Sequence, residues 1–156
     1  MTRKRTVRRR PGNVIAVPLG DGRVAFGLDL TSPLIAFFDL CAKEGEEPEV
    51  EEIVRKTVAF RIWVAHQPIK DGSWPVIGHV EVPESLSEPP WFFKQDAVSN
   101  KLSVTHWGDV EHPATPEQVK KLERAAVWSA NHVVDRLRDH CDRKPNKWVE
   151  SLRYKP

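Results

Sequence analysis

The 156-residue chain has little of what usually marks a catalytic or metal-binding protein. It has two cysteines, Cys41 and Cys141, with neither CxxC spacing nor a Cys/His pattern suited to zinc. Two reduced thiols are the expected state, although a disulfide between them is geometrically open. Its six histidines, His66, His79, His106, His112, His132 and His140, are scattered singly, without an HExxH or HxH pair. There is no GxSxG elbow around a serine nucleophile. "PLGDGR" lacks the clustered glycines, lysine and hydroxyl residue of a phosphate loop, and it leads into a strand instead of a helix. No apolar run approaches the roughly 18 residues of a membrane span. The basic N-terminus has no apolar stretch behind it, as a secretory signal requires, so a cytoplasmic location is expected.

Charge is abundant but unevenly placed. Residues 1–10, "MTRKRTVRRR", hold six bases and no acid, leaving 18 bases against 22 acids in the rest of the chain. The expected organisation is a flexible basic arm over 1–10 followed by a single domain over 11–156. An arginine arm with exposed Trp74, Trp91 or Trp107 would suit nucleic acid. The acidic body opposes that use, so direct nucleic-acid binding is not expected.

From residue 13 the pattern is that of strands. Ile15, Val17 and Leu19 share one face, and Val24, Phe26, Leu28 and Leu30 repeat the alternation after a "GDG" hairpin turn at Gly20–Gly22. Pro18 fits an edge strand. "LIAFFDL" is apolar enough to be buried on both faces. "VAFRIWVAHQPI" and "WPVIGHVEV" read as two strands joined by the turn "KDGS", and "WFFKQD" and "LSVTHWG" as two more. At Thr115 the period turns helical: "TPEQ" is a capping box, with Val119, Leu122 and Ala126 on one face. Ser129 or Asn131 caps a second helix carrying Val134, Leu137 and Cys141. Trp148, Val149 and Leu152 form a last stripe after Pro145. The fold class is therefore α+β: a curled or barrel-like antiparallel sheet over about 13–107, braced by C-terminal helices.

Two clusters stand out as candidate sites. Glu44, Glu46, Glu47, Glu49, Glu51 and Glu52 crowd six carboxylates into nine residues, with Pro48 at the first position of a short helix. Two readings fit: a solvated loop and helix start, where acids suit the dipole, or a surface offered to a basic partner. His132, Asp135 and Asp139 share a helical face, but Arg136 and Arg138 are interleaved. A solvated salt-bridging surface is expected there, not a metal site. No cofactor, metal or catalytic residue is expected.

"PGNVIAVPLGDGRVAFGLDL", "PLIAFFDL", "GSWPVIGHV", "PPWFFKQD" and "ERAAVWSANHVVDRLRDH" followed by "NKWVESL" together resemble the immunity protein 26 family of bacterial polymorphic-toxin systems. The resemblance spans about residues 11–153. It departs from the common form at Asn13, where an acid usually follows the glycine. The resemblance implies an intracellular, non-catalytic protein that binds and neutralises a cognate toxin domain. Many such toxins are basic nucleases, which an acidic surface would capture quickly. The Glu44–Glu52 carboxylates are the expected contact. Proteins similar to this family have also been labelled phosphotriesterases, so an organophosphate hydrolase is the alternative.

Overall fold

Val14 and Ile15 are both fully buried although they are adjacent in a strand, which requires both faces of the sheet to be covered. The computed structural model, which describes residues 7–156, shows how this is done. In chain order the elements begin β1 (Asn13–Pro18), β2 (Arg23–Asp29), β3 (Leu34–Lys43), α1 (Val50–Val54), β4 (Val58–Val64), α2 (Gln67–Lys70) and β5 (Val76–His79). A 3₁₀ turn at Glu84–Leu86 leads to β6 (Phe92–Gln95), β7 (Leu102–Thr105), β8 (His112–Pro113) and α3 (Pro116–Val119). The chain ends with β9 (Glu123–Arg124), β10 (Val127–Trp128), α4 (Ala130–Cys141) and α5 (Lys147–Leu152).

The strands form two open sheets, β10-β4-β3-β2-β1-β5 and β8-β7-β6-β9, antiparallel except for the β10–β4 and β6–β9 pairings. The α+β class and the curled sheet with C-terminal helices hold, but neither sheet closes into a barrel. Ile15, Val17, Ile35, Phe37 and Ile62 look toward α4, which contributes Val133 and Leu137. Val14, Phe26, Leu28, Ala36 and Phe38 look the other way, toward Ile53 of α1 and Phe92 of the second sheet. The apolar "LIAFFDL" is thus buried on both faces, as its composition predicts.

Polar links fasten α4 to both sheets. Arg136 donates to both oxygens of Glu123, at 2.7 and 3.1 Å, and lies 3.7 Å over the Phe60 ring. Arg138 Nε donates to the Leu19 carbonyl at 2.6 Å, and His140 Nε2 meets Asp39 Oδ1 at 2.8 Å. Arg23 bridges Asp21 and Asp142, and its hydrogen bonds hold both carboxyls below their ordinary values.

Several sequence expectations are corrected. Cys41 and Cys141 are not free thiols but a disulfide with Cα atoms 6.1 Å apart. They lie on β3 and the end of α4, and only the packing of that helix on the sheet brings them together. "VAFRIWVAHQPI" and "WPVIGHVEV" do not pair through "KDGS": α2 interrupts them, and β5 crosses to pair with β1. The helix expected after Thr115 stops at Val119, although its capping box is present. Beyond it, residues 123–128 extend along the free edges of β6 and β4, because unpaired edge amides and carbonyls gain partners there. Pro48 lies before the α1 N-cap, Glu49, instead of at its first position. β1 is flanked on both sides, but β5 pairs with it only as far as Ile15, so Pro18 lies beyond the second neighbour.

Residues 1–6 of the expected arm lie outside the described residues. Of the remainder, Arg9 is held inside the body. Its Nε donates to Asp29 Oδ1 at 3.2 Å, and its Nη atoms donate to the carbonyls of Val64 and Pro33, at 2.6 and 2.8 Å. Asp29 is fully buried and also accepts from the Arg10 amide at 3.1 Å.

Candidate functional site

The turn after β3 and the start of α1 carry the six glutamates. Gly45 turns the chain at φ +92°, a conformation glycine adopts without steric cost. Glu49 then occupies the N-cap of α1, with Glu51 and Glu52 in its first turn, where carboxylates meet the positive end of the helix dipole. All six side chains are exposed, and none forms an ion pair among the described residues. Lys43, Arg55 and Lys56 flank the run in sequence and are also exposed.

The structure divides this set. Glu46, Glu47 and Glu49 line a cleft of about 480 Å³, whereas Glu44, Glu51 and Glu52 lie outside its lining. The cleft floor is apolar: Ala16, Val24 and Phe26 come from β1 and β2, and Ile77 and Gly78 from β5. Ile77 is an exposed large aliphatic residue on the edge strand of the main sheet. Gly78 keeps this wall close to α1, since a methyl at its α-carbon would come within 2.5 Å of a Val50 methyl. Sequence reasoning found the acids but missed the apolar floor. The floor depends on β5 pairing with β1, a contact about sixty residues apart that no local pattern announces.

The His132 face is more constrained than a solvated surface. His132 stacks on Trp148 with ring centroids 3.6 Å apart, and Trp148 Nε1 donates to Asp135 at 3.0 Å. Asp139 accepts from Asn146 Nδ2 at 2.9 Å. These groups join α4 to α5, with Arg138 lying 3.8 Å from Asp135. Among the described residues, no group of three or more His, Cys, Asp or Glu is placed to hold a metal ion. Asn13, the departure noted above, accepts from His79 Nδ1 at 3.0 Å and so links β1 to the edge strand.

Apart from the half-buried Trp148, the tryptophans separate into two groups. Trp63, Trp74 and Trp128 are buried, so Trp74 is not available for stacking on an outside ligand. Trp91 and Trp107 are 41% and 54% exposed. Trp107 stands edge-on to Trp63 at 5.0 Å, beside an uncharged cleft of about 360 Å³ between the two sheets. No helix among the described residues is long and apolar enough to cross a membrane.

The family model described as immunity protein 26 matches residues 10–104. This span runs from the strap before β1 to β7 and includes the acidic run and its cleft, while α3–α5 lie outside it. No curated protein and no solved structure matches the chain.

Proposed function

Because the chain belongs to the immunity protein 26 family, we propose that it binds and neutralises the toxin domain of a bacterial polymorphic or contact-dependent system, and that the Glu44–Glu52 face makes the contact. The observation that supports this reading is the set of six exposed carboxylates without ion-pair partners among the described residues, three of them lining an apolar cleft. Unpaired surface charge of one sign costs the isolated fold something through self-repulsion and accelerates encounter with an opposite surface. An apolar floor beneath an acidic rim has the layout of an interface: the rim steers and the floor holds. A basic nuclease domain is the partner class this charge favours.

Such a protein acts in the cytoplasm, where the toxin would do its damage. Cys41 is exposed and Cys141 half-buried, and the cytoplasm keeps thiols reduced. Neutralisation is therefore to be measured with and without reductant.

The test uses a toxin domain that the unaltered chain neutralises and a variant carrying Glu46→Lys, Glu47→Lys and Glu49→Lys. Association is expected to slow by about tenfold or more at low salt, and its salt dependence to flatten. Unchanged association kinetics would remove this face from the interface.

A further inference from the structure

The Cys41–Cys141 disulfide ties α4 covalently to the main sheet, and its place in the fold decides what can reach it. β3 pairs with β2 as far as Lys43 but with β4 only as far as Phe38. Cys41 therefore stands on a stretch flanked by a strand on one side alone, and it is exposed. Cys141, the last residue of α4, is half-buried.

Non-covalent ties lie on both flanks of the bond. His140 Nε2 meets Asp39 Oδ1 at 2.8 Å, and Asp142 Oδ1 accepts from Arg23 Nη1 at 2.7 Å. One turn earlier Arg138 Nε donates to the Leu19 carbonyl, and Val133 and Leu137 are buried against the sheet. Breaking the sulfur–sulfur bond leaves each of these contacts in place. The two thiols would then stay opposite each other, on residues whose Cα atoms are 6.1 Å apart when bonded. A pair held at that separation recloses within the fold in preference to joining a second molecule. Exposed disulfides are also the labile ones, because exchange needs an external thiolate to approach one of the sulfurs.

We propose that Cys41 and Cys141 form a reversible redox switch, opened in the folded protein by attack of a low-molecular-weight thiol on Cys41 and clamping the last turn of α4 onto β3 when closed. The external thiolate bonds to Cys41 Sγ, the Cys41–Cys141 bond breaks, and Cys141 leaves as a thiolate that takes a proton. A second external thiolate attacks the small molecule's sulfur in this mixed disulfide and releases Cys41 as a thiol. Two external thiols are thus oxidised to one disulfide, and the protein gains two electrons and two protons; an external disulfide reverses both steps. When the switch is open, exposed ion pairs hold the end of α4, and such pairs hold loosely. The amides of Asp142, Arg143 and Lys144, bonded to the carbonyls of Arg138, His140 and Asp139, are then freer to part. α5 keeps its own anchor, since Trp148 stacks on His132 and donates to Asp135 in the first half of α4. The switch works in the same way whatever the partner is.

The oxidised full chain is treated with reduced glutathione at several concentrations, then quenched with acid, alkylated and weighed. The rate of opening is expected to rise about tenfold for a tenfold rise in glutathione and to change by less than about twofold in urea well below the unfolding midpoint. A rate independent of glutathione, or one that climbs steeply with urea, means that the bond opens only on unfolding and overturns the proposal. Two single-cysteine chains test the point of attack. Cys141→Ser, which keeps Cys41, is expected to take up oxidised glutathione about tenfold faster than Cys41→Ser, which keeps Cys141. Equal or inverted rates would overturn attack at Cys41, and the switch with it. The ¹⁵N-labelled reduced chain is expected to keep a folded spectrum, with changes concentrated around residues 39–43 and 138–145, and oxidised glutathione to restore the original spectrum in a monomer. General loss of dispersion, no change in those segments, or reoxidation into linked dimers would each overturn it.

Discussion

Arg9 and Asp29 show how one residue pair can determine whether a strap stays folded. Asp29 is fully buried, and that burial pushes its carboxyl above its ordinary value even with Arg9 beside it. Burial likewise lowers the Arg9 guanidinium. Arg9→Met leaves a buried carboxylate without its counter-charge and removes the guanidinium donor from the Val64 and Pro33 carbonyls, the second of which keeps the Val64 amide, so a loss of about 3–5 kcal/mol is expected. Adding Asp29→Leu should recover a large part of it, because the stranded charge is then gone. The pH dependence has a definite sign. A carboxyl whose native pKa is raised contributes stability that is full below its ordinary value of 3.8 and is lost as pH rises through the native value. Removing Arg9 raises that native value further. The deficit of Arg9→Met against the unaltered chain should therefore be largest near about pH 7–8 and shrink toward about pH 5. Urea midpoints at the two pH values check this, and equal deficits would contradict it.

At the scale of elements, the short final helix depends on its cap. Asn146 is buried, accepts from the Trp148 and Val149 amides at 3.1 and 3.0 Å, and donates to Asp139. Asn146→Ala should cost about 1–2 kcal/mol by chemical denaturation. Asn146→Asp keeps the cap but replaces the donor with a second carboxylate facing Asp139, so it should not restore full stability. What could be read from the sequence follows the same division. Capping at Thr115, the glycine turn at 20–22, the stripes of α4 and α5 and the strands through β3 depend on neighbours within a few residues, and they were legible. The disulfide, the β1–β5 pairing and the short strands β9 and β10 depend on surfaces made by distant segments. "LERAAVW" has good helix formers, yet it lies extended because two sheet edges offered backbone partners. The glutamates were visible as composition. Their division into three that line a cleft and three that do not became visible only once Ile77 and Phe26 were placed.

For the whole molecule, the main sheet is the layer that both cores share. Phe92 of the second sheet packs against Trp63 of the first, which ties the smaller sheet to the larger. The body, with the Arg9 strap included, is thus expected to unfold in one transition, with tryptophan fluorescence and far-ultraviolet circular dichroism coinciding. Two separated transitions would show the second sheet melting alone. The Cys41–Cys141 bond closes a long loop, with a sequence separation of 100, so replacing both cysteines with serine should remove about 2–5 kcal/mol and lower the melting temperature. That bond also encloses most of the chain in a covalent ring. Val98, 95% exposed in the turn between β6 and β7, lies inside the ring. A protease cutting once at that turn would leave both pieces joined, running as a single band on a denaturing gel until a thiol is added.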